Sequence, residues 1–167
     1  MPITPDKFGS VLIVSDSILK KCKSGSYPRI PAIKYDGHAI LACYPGADYE
    51  RIAGKFERHG IVNNSTWERI GLLILNAGTN DYANGTENKV IGENIKKIIE
   101  IARSKNPNVC VQVNAILPRP KDFRQSNFSV ELLNWELKLL CGDIPYTRFS
   151  PIFKQFLHKR RGYAPRA

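Results

Sequence analysis

The chain is poor in the residues that usually bind metals or form disulfides. It has four cysteines and three histidines among 167 residues, and no two cysteines are close enough to form a Cys-x-x-Cys pattern. Cys43 and Cys110 lie inside apolar strand-like runs, where a free cysteine behaves as a small apolar residue. We expect all four cysteines to be reduced thiols. The sequence also lacks a phosphate-binding loop and the glycine pattern of dinucleotide-binding folds. We therefore expect neither a metal ion nor an organic cofactor.

Long apolar stretches are missing as well. No apolar run approaches the roughly 20 residues that a helix needs to cross a bilayer. The first ten residues are polar and contain two prolines, which does not fit a secretory signal. These absences predict a soluble intracellular protein, cytoplasmic by default, or a domain of a longer one.

What is present is enough apolar content for one folded domain. Hydrophobic residues make up 43% and charged residues 24% of the sequence, a balance typical of globular proteins. The length suits a single domain over residues 1–167, with residues 154–167 as a basic C-terminal tail.

The net charge of the chain is +10, and much of it lies near the C-terminus. The basic residues there are Arg148, Lys154, Lys159, Arg160, Arg161 and Arg166. A basic segment can attract nucleic acid, an anionic membrane surface or an acidic partner, and it can equally be a solvated tail. The sequence leaves these interpretations open.

Apolar runs bounded by turn formers predict buried strands, and apolar residues at helical spacing predict helices. We predict strands at 11–14, 39–44, 72–77 and 109–115, a short fifth strand at 144–149, and helices at 48–59, 87–104 and 129–141. Strands that alternate with helices indicate an α/β fold with a parallel sheet of four to five strands and right-handed crossovers.

Chemically useful residues follow the ends of these strands. Ser17 comes after the first strand, Gly46 after the second, Asn80 after the third and Pro118 after the fourth. Because the carboxyl ends of parallel strands share one edge, these positions are expected to meet there. A hydroxyl beside a glycine backbone amide and a side-chain amide could attack an ester carbonyl and stabilise the resulting oxyanion.

Each of these residues also has a simpler interpretation. Residues 15–17 could cap a helix, Gly46 could belong to an ordinary Pro-Gly turn, and Asn80 could form an Asx turn. Their occurrence together, at successive strand ends, favours a site.

The same stretches resemble the SGNH/GDSL hydrolases. Ser15-Asp16-Ser17 resembles the family's Gly-Asp-Ser block, and Pro45-Gly46-Ala47 is similar to its second block. Gly78-Thr79-Asn80-Asp81 matches its Gly-x-Asn-Asp block. The stretch from Ala115 to Pro120 resembles esterase-like domains of animal LINE-type retrotransposon proteins and related mobile elements. The resemblance implies a flavodoxin-like three-layer α/β/α sandwich, with Ser17 as nucleophile and Gly46 and Asn80 in the oxyanion hole.

Two positions depart from the family pattern. Ser15 replaces the family's first glycine, which is tolerable only where the backbone φ is negative. The Asp-x-x-His block that closes the family's catalytic triad near the C-terminus is not found. His38 and His59 lie away from the expected position, which makes His158 the sole candidate base. Either Gln155 replaces the Asp of that block, or the chain ends before the block; the short span after the last predicted helix favours the second.

These observations support different classes of function. The first is a serine ester hydrolase of SGNH type, acting on a small acyl or acetyl ester. The second is a catalytically inactive module of the same fold, serving binding or assembly in a mobile-element or viral protein. A third is a domain that binds nucleic acid through its basic C-terminal tail.

Overall fold

The computed structural model describes residues 9–16, 39–117 and 123–151, apart from the side chains of 123–128. Five strands and five helices follow one another along these residues. Their bounds are β1 Ser10–Ser15, β2 Ala39–Cys43, α1 Tyr49–His59, α2 Asn64–Trp67, β3 Ile70–Asn76, α3 Thr79–Ala83, α4 Asn88–Lys105, β4 Cys110–Asn114, α5 Phe123–Asp143 and β5 Thr147–Ser150.

The five strands form one sheet with the order β2-β1-β3-β4-β5, and every neighbouring pair is parallel. Ser15, at the end of β1, lies opposite Cys43 of β2 and Asn76 of β3. This strand order is that of the flavodoxin-like α/β folds. The fold class predicted from the sequence is therefore confirmed.

The apolar core lies between one face of the sheet and the helices α1, α4 and α5. Successive residues of a strand point to opposite faces, and those that point to this face are almost completely buried. They include Leu12, Val14, Leu73, Leu75, Val111 and Val113. Helix α4 presents the isoleucine stripe that its sequence predicts, Ile91, Ile95, Ile98 and Ile99. Full burial of one such side chain stabilises by about 1.5–3 kcal/mol, so this layer holds the helices on the sheet.

Helix α1 begins and ends at the residues that its sequence predicts. The side chain of Asp48 accepts a hydrogen bond from the backbone amide of Arg51 at 2.9 Å, which is the geometry of an N-cap. Gly60 follows the last helical residue with a φ of 66° and ends the helix. The 11 residues of α1 span about 16 Å. They carry the chain from the carboxyl end of β2 towards the amino end of β3.

Several bounds differ from the sequence-based prediction. Helix α5 begins at Phe123 and not near Ser129, because helical backbone continues through residues that show no apolar periodicity. Strand β5 begins only at Thr147, after Tyr146 with its φ of 54°. The helices α2 and α3 were not predicted, since four or five residues contain too little of an apolar period.

Cys43, Cys110 and Cys141 are free thiols, whereas Cys22 lies outside the described residues. In the part of the chain that the structure describes, no helix combines the length and apolar character needed to cross a bilayer.

Candidate active site

The candidate site lies where β1 and β3 end side by side in the middle of the sheet. The strand order reverses at this point, because β2 flanks β1 on one side while β3 and the later strands lie on the other. Open α/β sheets bind their ligands at such a position, outside the carboxyl ends of the strands. The loops that follow β2 and β3 both lead into this edge.

These two loops contact each other directly. The side-chain amide of Asn80 donates a hydrogen bond to the backbone carbonyl of Ala47, with 3.0 Å between Nδ2 and O. Ala47 is buried, but the adjacent Gly46 is exposed, and no atom of the described residues lies within 4 Å of the place a Cβ would occupy. Gly46 has a φ of 72°, which glycine adopts without strain. The structure thus brings Gly46 and Asn80 together at this edge of the sheet.

Asp81 connects the same two loops a second time. Its Oδ2 accepts a hydrogen bond from the backbone amide of Tyr49, the first residue of α1, at 3.0 Å. Burial of this carboxyl is the main reason that its pKa rises to about 6. The charges of Asp48 and Asp16 raise the pKa of Asp81 further, whereas the Tyr49 amide lowers it. Asn80 and Asp81 therefore hold the Gly46 turn and the start of α1 from neighbouring positions.

Gly78 allows the loop after β4 to pack against this assembly. Its φ is 111°, and a Cβ built on it would lie 2.5 Å from both Cγ1 and Cδ1 of Ile116 and 3.2 Å from Cε2 of Tyr49. A side chain would therefore be strained in conformation and would overlap its neighbours. The next residue, Thr79, donates from Oγ1 to the backbone carbonyl of Leu117 at 3.2 Å. Three loops, those after β2, β3 and β4, thus converge on helix α3.

Helix α5 fixes the loop after β4 from the other side. The side chain of Asn134 accepts a hydrogen bond from the backbone amide of Ile116 at 2.8 Å and donates one to its carbonyl at 3.0 Å. Both residues are nearly fully buried, so this one side chain satisfies two backbone groups that water does not reach.

The end of β1 is held by its neighbours on both sides. The backbone carbonyl of Ser15 accepts a hydrogen bond from the amide of Tyr44 at 2.8 Å, and the amide of Asp16 lies 3.4 Å from the carbonyl of Asn76. Ser15 is fully buried, and its φ is not positive, so the residue that replaces the family's glycine fits as a strand residue. Its Oγ accepts a hydrogen bond from Asn76 Nδ2 at 3.3 Å. Asp16 is buried immediately beyond it.

Several residues singled out in the sequence lie outside the described residues, namely Ser17, Pro118, His38 and His158. His59 is the one histidine in the described part of the chain. It is the last residue of α1, which leads away from the candidate site towards the amino edge of the sheet.

Other polar residues at this edge were given no role by the sequence. Asp81 belongs to the Gly-x-Asn-Asp block, which was a signal that it has a specific partner. Asn76 and Asn134 have no local signal, because their partners are distant in sequence. Within the described ranges, no group of three or more histidine, cysteine, aspartate or glutamate side chains could hold a metal ion.

Solved structures of lipolytic and esterase proteins share this architecture. A protein from Streptococcus pneumonia described as a candidate platelet activating factor superposes with a TM-score of 0.70 at 18% identity, over 88% of this chain and 67% of its own. A member of the lipolytic G-D-S-L family from Veillonella parvula superposes with a TM-score of 0.68 at 13% identity, over 91% of this chain and 82% of its own. The SGNH-hydrolase family esterase AlinE4 superposes with a TM-score of 0.65 at 14% identity, over 96% of this chain and 85% of its own.

No protein-family model and no curated protein matches the chain. At these levels of identity, the likeness concerns the arrangement of strands and helices. The chain has the flavodoxin-like α/β fold of the SGNH hydrolases.

Proposed function

We propose that this chain is a serine ester hydrolase of the SGNH type, with Ser17 as nucleophile. The backbone amide of Gly46 and the side-chain amide of Asn80 are the oxyanion donors. The observation that carries this proposal is the hydrogen bond from Asn80 to Ala47, because it holds the Gly46 turn beside the Asn80 amide. The bond to a fixed backbone carbonyl also sets the orientation of the Asn80 side-chain amide.

The reaction would follow the chemistry of serine hydrolases. The Oγ of Ser17 attacks the ester carbonyl carbon, and the carbonyl oxygen becomes an oxyanion that accepts hydrogen bonds from Gly46 and Asn80. A base takes the proton of Ser17 and passes it to the departing alcohol, which leaves an acyl-enzyme. Water then attacks the acyl group, releases the acid and restores the Ser17 hydroxyl. His158 is the candidate base.

Turnover of p-nitrophenyl acetate by the full chain tests this proposal. We expect hydrolysis above background by the unmodified chain and none by Ser17→Ala. Asn80→Ala should lower kcat about a hundredfold, the usual cost of one oxyanion donor. Asn84→Ala is the matched control, since Asn84 is exposed directly after the same short helix, and its kcat should not change. Equal rates in the unmodified chain and Ser17→Ala would refute the proposal.

A fluorophosphonate probe provides a second, covalent measurement. The probe transfers its phosphonyl group to an activated serine oxygen with loss of fluoride. Mass spectrometry of the digested protein should locate the added mass on Ser17. Labelling that is abolished in His158→Ala would identify His158 as the base, and labelling that persists in that variant would exclude it.

The net charge of +10 favours a second candidate function. In this alternative, the chain is a non-catalytic binding or assembly module, like those of mobile-element proteins, and contacts nucleic acid or another acidic partner through residues 154–167. Retention on heparin and binding to single-stranded DNA should then fall steeply with salt. Combined replacement of Lys159, Arg160 and Arg161 by Gln in the full chain should abolish both. Unchanged binding after this replacement would rule out the tail as the contact surface.

A further inference from the structure

A continuous chain of side-chain hydrogen bonds crosses four strands on the sheet face opposite the apolar core. We call it the amide chain, and its members in order are Arg148, Gln112, Asn114, Asn76 and Ser15. Arg148 Nε donates to Gln112 Oε1 at 2.7 Å, and Gln112 Nε2 donates to Asn114 Oδ1 at 2.8 Å. Asn114 Nδ2 then donates to Asn76 Oδ1 at 3.1 Å, and Asn76 Nδ2 donates to Ser15 Oγ at 3.3 Å.

The sheet places all five side chains on one face. Ser15 is paired with Asn76 across β1 and β3, and Gln112 is paired with Arg148 across β4 and β5. Gln112 and Asn114 are two residues apart on β4 and therefore point to the same side. Gln112 and Ser15 are buried, whereas Arg148 is exposed. The chain thus leads from a charged surface residue to a buried hydroxyl at the end of β1.

The guanidinium gives the amide chain a single direction. Arginine can only donate hydrogen bonds, so Gln112 must turn its oxygen towards Arg148 and its NH₂ towards Asn114. The same constraint passes along the two asparagines until Asn76 donates to Ser15. Bonds aligned in this way polarise one another. Each amide therefore directs its positive end towards Ser15, the last residue of β1.

We infer that Ser15 and Arg148 are positioning residues for the Ser17 nucleophile. The amide chain holds the last residue of β1, two positions before Ser17 in the sequence, and its aligned dipoles favour negative charge at the end of this strand. The hydroxyl that replaces the family's glycine is the acceptor on which the amide chain ends. This inference rests on the proposed function, because a positioning role requires that Ser17 reacts.

The test compares Arg148→Gln with Arg69→Gln, a matched loss of one positive charge. Arg69 is exposed and lies just before β3, at the amino ends of the strands and away from the candidate site. Glutamine at position 148 can donate or accept, so the direction of the amide chain is no longer imposed. We expect kcat for p-nitrophenyl acetate to fall about threefold to tenfold, since tenfold in rate corresponds to about 1.4 kcal/mol. KM should stay within about twofold. Arg69→Gln should change neither, and Arg148→Lys, which restores a cationic donor, should recover most of kcat.

Stability and backbone amide signals separate positioning from a merely structural role. The urea midpoints of Arg148→Gln and Arg69→Gln should agree, while the amide NMR signals of Asp16 and Ser17 should shift only in Arg148→Gln. An active chain in which Arg148→Gln leaves kcat and both signals unchanged would overturn this inference and leave the proposed function intact. If the chain shows no Ser17-dependent turnover, the proposed function is refuted. If the Asp16 and Ser17 signals nevertheless shift in Arg148→Gln, the structural coupling between Arg148 and the end of β1 remains.

Discussion

Replacement of Gly78 by alanine should destabilise the protein through both conformation and packing. The φ of 111° is one that side chains rarely adopt, and such strain costs about 1–3 kcal/mol. The new methyl group would also meet Ile116 at 2.5 Å. Ile116 is 1% exposed, so its side chain can move only by disturbing a packed core, at about 1–3 kcal/mol. We therefore expect the free energy of unfolding to fall by about 2–6 kcal/mol.

Gly85→Ala separates these two contributions. Gly85 has a φ of 70°, but no described residue has an atom within 4 Å of the position that its Cβ would take. The conformational cost alone should be about 1–2 kcal/mol. Urea unfolding at 25 °C, followed by tryptophan fluorescence, to which the buried Trp67 contributes, measures both variants on the same scale.

A double-mutant cycle with Ile116→Ala tests the overlap directly. Removal of the Ile116 side chain should cost about 2–5 kcal/mol in the unmodified chain. In the Gly78→Ala background it should cost less, because it also relieves the overlap with the new methyl group. A cost of Gly78→Ala no larger than that of Gly85→Ala, or additive effects of the changes at positions 78 and 116, would show that the new methyl group does not overlap Ile116.

Single substitutions at Asn134, Asp81 and Lys97 test three further contributions to stability. Asn134→Ala should lower the free energy of unfolding by about 2–5 kcal/mol, because it leaves the buried amide and carbonyl of Ile116 unpaired; a loss below about 1 kcal/mol would contradict this. The raised pKa of Asp81, about 6 against 3.8, means that the folded state binds its proton more tightly, so this group's contribution to stability falls as pH rises from about 4 to about 6. In Asp81→Asn, the urea midpoint should not show this fall with pH. Identical pH dependence of the urea midpoint in the unmodified chain and in Asp81→Asn would refute the prediction. Lys97→Gln should cost less than about 1 kcal/mol, and nothing in 1 M salt, since its 2.6 Å bond to Glu57 joins two half-exposed side chains.

The strands and long helices could be predicted because their signals are local. The run Leu72–Leu75 is apolar throughout, as expected of a strand in the middle of a parallel sheet. Helix α4 repeats isoleucine at helical spacing, and Asp48 and Gly60 mark both ends of α1. Each of these features is contained in a window of about 18 residues or fewer, so it is visible without knowledge of the tertiary structure.

The supporting contacts of the site could not be predicted because their partners are far apart in the chain. The meeting of Gly46 and Asn80 at one edge was expected from strand order alone. The bond from Asn80 to Ala47 and the pairing of Asn134 with Ile116 depend on backbone groups, which have no residue-type signature. The sequence also does not indicate that Gly78 faces Ile116, since that contact arises from the meeting of two loops.

The amide chain also bears on how reliably the strands find their correct partners during folding. Parallel strands rich in leucine, isoleucine and valine offer many nearly equivalent alignments, and a shift of one residue exchanges the two faces. Such a shift in β4 would turn Gln112 and Asn114 into the apolar core, where each unpaired amide costs about 1–3 kcal/mol. A polar row across an otherwise aliphatic sheet thus penalises misaligned assembly. Replacing Asn76 and Asn114 by leucine would be expected to favour misfolded and aggregated species even where the correctly folded form remains stable.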